Sequence, residues 1–225
     1  MEARSAYDSA TGGSSASIAA RLNDHLIGEG LDSLDVETAG RFADFCTLLL
    51  RWNARVNLTA IRDQEGILSR HFVESIACAR ALPAGITTLL DFGSGAGFPG
   101  IPIALCRPEI AVTLAESQGK KAAFLREAVR TLGLSATVHA GRAEALVQRF
   151  DCVTLRAVDQ MPQAIQMASE LVASAGWLAI MMTEDELGPM QAANREGWSW
   201  LSPIRLPGSD RRVLALGRQT GKRLP

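Results

Sequence analysis

The stretch LLDFGSGAGFPGIPIA, Leu89 to Ala104, decides the fold. An apolar run reaches the acid Asp91, and glycines follow at Gly93, Gly95, Gly97 and Gly100. Glycine has no Cβ and takes positive φ readily, so this chain can pass close to a ligand. An apolar strand that breaks into glycines is how doubly wound α/β folds hold a nucleotide-like group at the carboxyl edge of the sheet. Glu116 ends the next apolar run, AVTLAES, about 20 residues after the first glycine, where such folds place the acid for ribose hydroxyls. Its two acceptor oxygens suit a vicinal diol. The bland alternative is a tight turn between a strand and a helix.

Dinucleotides and S-adenosylmethionine are both held this way. A dinucleotide needs its pyrophosphate on a helix that opens directly from the glycines. Here Phe98-Pro99-Gly100-Ile101-Pro102 intervenes, and its prolines remove two backbone donors where a phosphate would want them. Asp91, beside the glycines, repels phosphate but suits a sulfonium and an ammonium. The balance favours S-adenosylmethionine.

With 225 residues the chain is long enough for one well-buried domain and a small appendage. No apolar run approaches the roughly 18 residues of a membrane span, and the N-terminus lacks the order of a secretory signal. Cys46, Cys78, Cys106 and Cys152 stand apart without CxxC spacing, which predicts buried reduced thiols in a cytoplasmic protein and no metal site. A net charge of −1 means that nucleic-acid binding needs a local basic patch. Arg51, Arg55, Arg62 and Arg70 form one such group, and Arg205, Arg211, Arg212, Arg218, Lys222 and Arg223 another; a solvated surface is the bland reading of both.

Three segments follow from the periodicities: a flexible tail at 1–16, a helical cap at 17–86 and an α/β domain at 87–225. Ile18, Leu22 and Leu26 recur at helical spacing, as do Phe42, Phe45, Cys46 and Leu49. Asp35 is placed to cap the second helix, and a third is predicted from Gln64 to Leu82, before Pro83. Strands TTLLDF, AVTLAE, ATVHAG, DCVTLRA and GWLAIMM then alternate with helices predicted at Pro102–Cys106, Gln118–Leu132, Gln163–Ala173 and Asp185–Glu196. WSWLSPIRL and RRVLALGR read as a closing antiparallel pair. Five βα units and a hairpin predict the seven-stranded Rossmann-like sheet of a class I S-adenosylmethionine-dependent methyltransferase.

After the third strand, Ala143 and Glu144 are placed to meet an adenine edge. Arg156 closes the fourth strand at the rim where ligands bind, ready for the methionine carboxylate or a substrate phosphate; an ion pair with Asp159 or Asp151 is the alternative. Asn53 and Asn57, four apart, are expected to share a helix face, with capping as the bland role. Trp52 reads as core, and His71 as a general base or a structural histidine.

RWNARVNLTAIRD, RHFVES, LLDFGSGAGFPGIPIA, ESQGKKAAFLRE and the strand-end LRA follow in one order over Arg51 to Met181. Together they resemble the bacterial small-subunit ribosomal RNA guanine-N7 methyltransferases. The resemblance implies methyl transfer to a guanine N7 of 16S ribosomal RNA, free or in the small subunit; a monomer is expected because nothing in the sequence suggests an obligate oligomer. It implies cofactor contacts at Gly93, Phe98, Ala143, Glu144 and Arg156, beside Asp91, Gly95, Gly97 and Glu116 from the glycine loop. The RNA contacts expected with it are Arg51, Arg55, Asn57, Arg62, His71, Arg211 and Arg212, and Asn53, Asn57 and Arg156 are the candidates for positioning the reaction. Two positions depart from the family pattern. Glu74 stands where an aspartate is usual, and Met181-Met182-Thr183 replaces a Leu-Lys-Gly-like turn, removing a lysine. The rival readings are a methyltransferase for a protein or small molecule, a non-catalytic RNA-binding module and, disfavoured by the prolines, an NAD-dependent oxidoreductase.

Overall fold

The computed structural model describes residues 14–158, 160–194 and 196–221. Helix α1 (Ser15–Gly28) is capped by the Ser14 hydroxyl and buries Ile18, Leu22 and Leu26. It begins two residues before the predicted cap boundary; residues 1–13 of the predicted tail lie outside the described residues. Asp35 caps α2 (Val36–Val56), its Oδ1 accepting from Thr38 N at 2.9 Å. The predicted third helix, α3, is composite. Gln64–Gly66 and Val73–Ala81 are α-helical, and Ile67–Phe72 between them is a π-helix. Such a segment is rare and collects at functional sites.

Eight strands follow: β1 (Thr88–Phe92), β2 (Ala111–Ala115), β3 (Thr137–His139), β4 (Phe150–Arg156), β5 (Val172–Thr183), β6 (Trp198–Trp200), β7 (Ile204–Arg205) and β8 (Arg212–Gln219). Their order is β3-β2-β1-β4-β5-β8-β6, with β7 on β8. β1 to β5 are parallel and β8 returns antiparallel beside β5. The predicted WSWLSPIRL strand breaks into β6 and β7, which both pair with β8. Eight strands therefore stand where seven were expected. Helices α4 (Gly100–Cys106), α5 (Gly119–Thr131), α6 (Met161–Glu170) and α7 (Glu184–Ala193) join them.

The central parallel strands β1 and β4 are buried on both faces, as helix-covered sheets require, whereas the edge strand β3 is not. Leu89 faces one core cluster and Leu90 the other, and along β5 Ala179 and Met181 alternate with Leu178 and Ile180. The N-terminal helices join the first cluster: Phe42 packs edge-on to Phe72 at 5.1 Å, and Phe45 lies 5.4 Å from Phe98 of the glycine loop. The chain leaves β1 outward to β2 and β3, then crosses back to β4. That reversal opens a crevice at the carboxyl ends of β1 and β4.

Candidate active site

A cavity of about 610 Å³ occupies this crevice, within the range of small-molecule sites. Its wall comes from the loops after β1, β2, β3 and β4, closed by Leu58, Thr59 and His71 of the N-terminal region. Gly93, Gly95 and Gly97 take φ of +71°, +55° and +89°, which side chains rarely adopt. Gly93, Gly95 and Phe98 line the cavity. Gly97 does not. A Cβ on Gly97 would meet Ile101 Cδ1 at 2.5 Å, so this glycine serves the packing of α4.

Helix α4 begins at Gly100, two residues before the predicted Pro102. The reason is Asp91, which is 1 % exposed: its Oδ2 accepts from Gly100 N at 3.2 Å and its Oδ1 from the Thr154 hydroxyl at 2.9 Å. Burial pushes the Asp91 carboxyl up to about 6, against the lowering hydrogen bonds from Thr154, Ser94 and Gly100. Asp91 thus stands beneath the loop and is not part of the cavity wall, where the sequence reading places it.

Glu116 does line the cavity. Its Oε2 accepts from Gly95 N at 2.9 Å and its Oε1 from Gln118 N at 2.7 Å. Each oxygen keeps a lone pair for a hydroxyl. Ala143 and Glu144 form a 3₁₀ turn, Ala143–Ala145, across the cavity. Ala157 and Gln160, also in the wall, take positive φ of 49° and 53°. Such strain gathers at ligand sites, and nothing in the sequence announced it.

Arg156 projects into the wall from the end of β4 and lies over the Phe98 ring at 5.9 Å. Its Nη2 donates to Glu74 Oε2 at 2.6 Å and its Nη1 to Ser75 Oγ at 3.2 Å. Asp151, the alternative partner, instead accepts from the backbone of Thr87 and Thr88 at 2.9 Å each, and Asp159 lies outside the described residues. Glu74 is fully buried. Sequence reasoning noted its departure from the family pattern but missed the ion pair that α3 and β4 build across the fold.

His71 lines the cavity from the π-helical segment, stacked on Phe98 at 4.6 Å with Nε2 2.7 Å from Thr59 Oγ1. Burial, then the charges of Arg156, Arg212 and Arg70, drive its pKa down to about 3. A general base so far below neutral pH is a poor one.

Asn53 and Asn57 do not share a helix face. Helix α2 ends at Val56, and Asn57 is its left-handed cap with φ of 32°, exposed and accepting from Arg62 Nη2 at 3.0 Å. Asn53 is buried and pins the following loop, donating to Ile61 O and accepting from Thr59 N, each at 3.0 Å. Both roles are structural. Trp52 is half-buried against Phe124 and donates to Glu127 Oε2 at 3.1 Å. Arg51 pairs with Glu127 and Arg211 with Asp185, while Arg55 is exposed. Arg212 is drawn inward, its Nε 3.6 Å from Glu74 Oε2. None of Arg51, Arg55, Arg62, Arg211 and Arg212 lines the cavity. In place of the lysine turn, β5 runs through Met182 to Thr183, which forms a capping box with Glu186 at the start of α7.

The cavity wall thus carries the Glu116 carboxylate, the Ala143–Ala145 turn and the Arg156 guanidinium. It suits a nucleoside carrying a charged tail. Among the described residues no group of His, Cys, Asp and Glu could hold a metal ion, and no helix is long and apolar enough to cross a membrane.

The family model described as rRNA small subunit methyltransferase G matches residues 39–198. The ribosomal RNA small subunit methyltransferase G of Xanthomonas campestris pv. campestris (strain 8004) is 40% identical over 184 residues, 79% of this chain and 85% of that protein. Its namesake from Stenotrophomonas maltophilia (strain K279a) is also 40% identical, over 86% of this chain and 91% of its own length. Among solved structures, a SAM-dependent methyltransferase from Aquifex aeolicus superposes with a TM-score of 0.55 at 16% identity, covering 69% of this chain and 93% of that one. M. jannaschii TYW2 in complex with AdoMet gives a TM-score of 0.52 at 13% identity, covering 67% and 76%. At these identities the structures speak to the fold, and the fold is that of the SAM-dependent methyltransferases.

Proposed function

The chain belongs to the rRNA small subunit methyltransferase G family, and on that premise we propose that it methylates N7 of a guanine in 16S ribosomal RNA, using S-adenosylmethionine. The observation that carries the cofactor reading is Glu116, tied at both oxygens to the backbone of Gly95 and Gln118 in the cavity wall. In this reading Glu116 holds the ribose diol, the Ala143 backbone and Glu144 meet the adenine edge, and Arg156 faces the methionine carboxylate. When bound, the cofactor supplies a methyl group on a sulfonium sulfur, which keeps the C–S electron pair as the methyl leaves.

Guanine N7 carries an in-plane lone pair and loses no proton before it attacks. The chain therefore needs no base, in keeping with a His71 held neutral by burial. What its residues contribute is alignment and a fixed electrostatic setting. Phe98 and His71 stack in the cavity wall, and the target guanine must be accessible or extruded to reach the methyl group. Exposed Arg55, Arg62 and Arg142 are placed to meet phosphates. The protein is read as a cytoplasmic monomer that takes free RNA or the small subunit.

Incubation with methyl-labelled S-adenosylmethionine and small-subunit RNA lacking its native methylation tests this. The expected product is 7-methylguanosine at one position. Label in any other nucleoside, or in protein, would contradict the reading.

A further inference from the structure

Glu74 and Ser75 are adjacent polar residues of α3, both wholly buried between the core side chains Val73 and Ile76. A carboxylate is almost never buried so deeply without a partner. Both residues turn to the same one. Glu74 Oε2 accepts from Arg156 Nη2 at 2.6 Å, and Ser75 Oγ accepts from Arg156 Nη1 at 3.2 Å. The Phe98 ring lies against the guanidinium at 5.9 Å. Arg156 and Phe98 form cavity wall, whereas Glu74 and Ser75 do not. Two buried side chains of the helical part thus grip, from outside the cavity, an arginine of the sheet that faces into it.

An arginine side chain has many rotamers, and a ligand that has to order it binds less tightly than one that meets it already in place. Here both Nη atoms and one ring face hold the guanidinium before any ligand arrives, while further N–H donors on it stay free. Its charge is kept as well. Burial drives the Arg156 pKa down to about 10 and Glu74 pulls it up, so the group is protonated at neutral pH. Arg212 Nε lies 3.6 Å from the same Glu74 oxygen. One carboxylate therefore serves two cations, and the cluster keeps a net positive charge toward an anion in the cavity.

We infer that Glu74 and Ser75 are positioning residues for the cofactor, holding Arg156 in the orientation that receives the methionine carboxylate of S-adenosylmethionine. This rests on the reading above in which Arg156 faces that carboxylate. Through the grip, α3 sets how strongly the cavity prefers a ligand with a carboxylate to one without. A strut that only fastened the helices to the sheet would affect every ligand of the cavity alike.

The test compares equilibrium binding of S-adenosylmethionine and of decarboxylated S-adenosylmethionine, which keeps the adenosine, sulfonium and amine. The proteins are full-length wild type, Ser75→Ala and Glu74→Asp, with thermal unfolding followed alongside. Both substitutions preserve the charge of the cluster and change only the hold on the guanidinium. The first removes an acceptor. The second shortens the reach by one methylene; aspartate is usual in the family pattern, but here it is the longer side chain that closes the 2.6 Å contact. Wild type is expected to prefer S-adenosylmethionine by about tenfold or more, the scale of a hydrogen bond to a charged group. Each variant is expected to lose about fivefold in affinity for S-adenosylmethionine and to stay within about twofold for the decarboxylated ligand, whatever its unfolding midpoint. If Glu74→Asp does not fold, Ser75→Ala decides. Equal losses for both ligands, or none for either, would overturn the proposal and leave the contact a structural strut. Wild type that binds the two ligands equally, or binds neither, would instead sink the reading of Arg156 as the carboxylate contact, and this inference with it.

Discussion

Asp91 is the residue whose chemistry its surroundings change most consequentially. Its carboxyl moves from 3.8 to about 6 because burial penalises the charge more than Thr154 and Gly100 relieve it. A raised folded pKa gives a contribution fully present below about pH 3.8 and lost as pH rises through 6, worth roughly 3 kcal/mol when complete. His71 works in the opposite sense. Its folded pKa is depressed from 6.5 to about 3, so its contribution is lost as pH falls through that window. The two overlap and mask each other in the wild type. Asp91→Asn removes one of them. Denaturant unfolding between pH 4 and 7 is expected to show the variant gaining on wild type as pH rises; parallel curves would contradict the assigned burial. The sequence showed an acid beside glycines but not which way it faced, because that depends on Thr154, a residue 63 positions away.

At the scale of elements, the glycine loop and α3 differ in how far the sequence disclosed them. The loop was legible because positive φ and close approach restrict the residue type locally. Its division of labour was not. Gly95 has nothing nearer to a hypothetical Cβ than Gly93 O at 3.8 Å, whereas at Gly100 that Cβ would meet Leu114 at 2.3 Å and Asp91 Oδ2 at 2.6 Å. Gly100→Ala is therefore expected to lower unfolding free energy by about 1–3 kcal/mol through overpacking. Gly95→Ala, strained at φ of +55° but unobstructed, should cost about 1 kcal/mol and act mainly on cofactor affinity. Equal stability losses in thermal unfolding of the two would contradict this division. The π-helical segment of α3 was not legible at all. An extra residue per turn leaves the apolar pattern Ile67, Leu68, Phe72 looking helical, while it re-aims His71 into the cavity.

Across the whole molecule, the alternation of strands and helices predicted the parallel sheet, because apolar runs buried on both faces admit few other arrangements. The place of the crevice followed from that topology. The Glu74–Arg156 pair did not, since two charges 82 positions apart leave no periodic trace. It joins the N-terminal helices to the sheet beside the cavity, and in the proposed reading the helical part supplies the acceptor side and the sheet loops the cofactor side. Equilibrium binding of S-adenosylmethionine to wild type, Glu116→Gln and Glu116→Ala tests this arrangement most directly. The account predicts saturable binding by wild type, weakened about tenfold or more in Glu116→Ala and less in Glu116→Gln, which keeps one acceptor oxygen. Unchanged affinity in Glu116→Ala, or preference for a dinucleotide over S-adenosylmethionine, would contradict it.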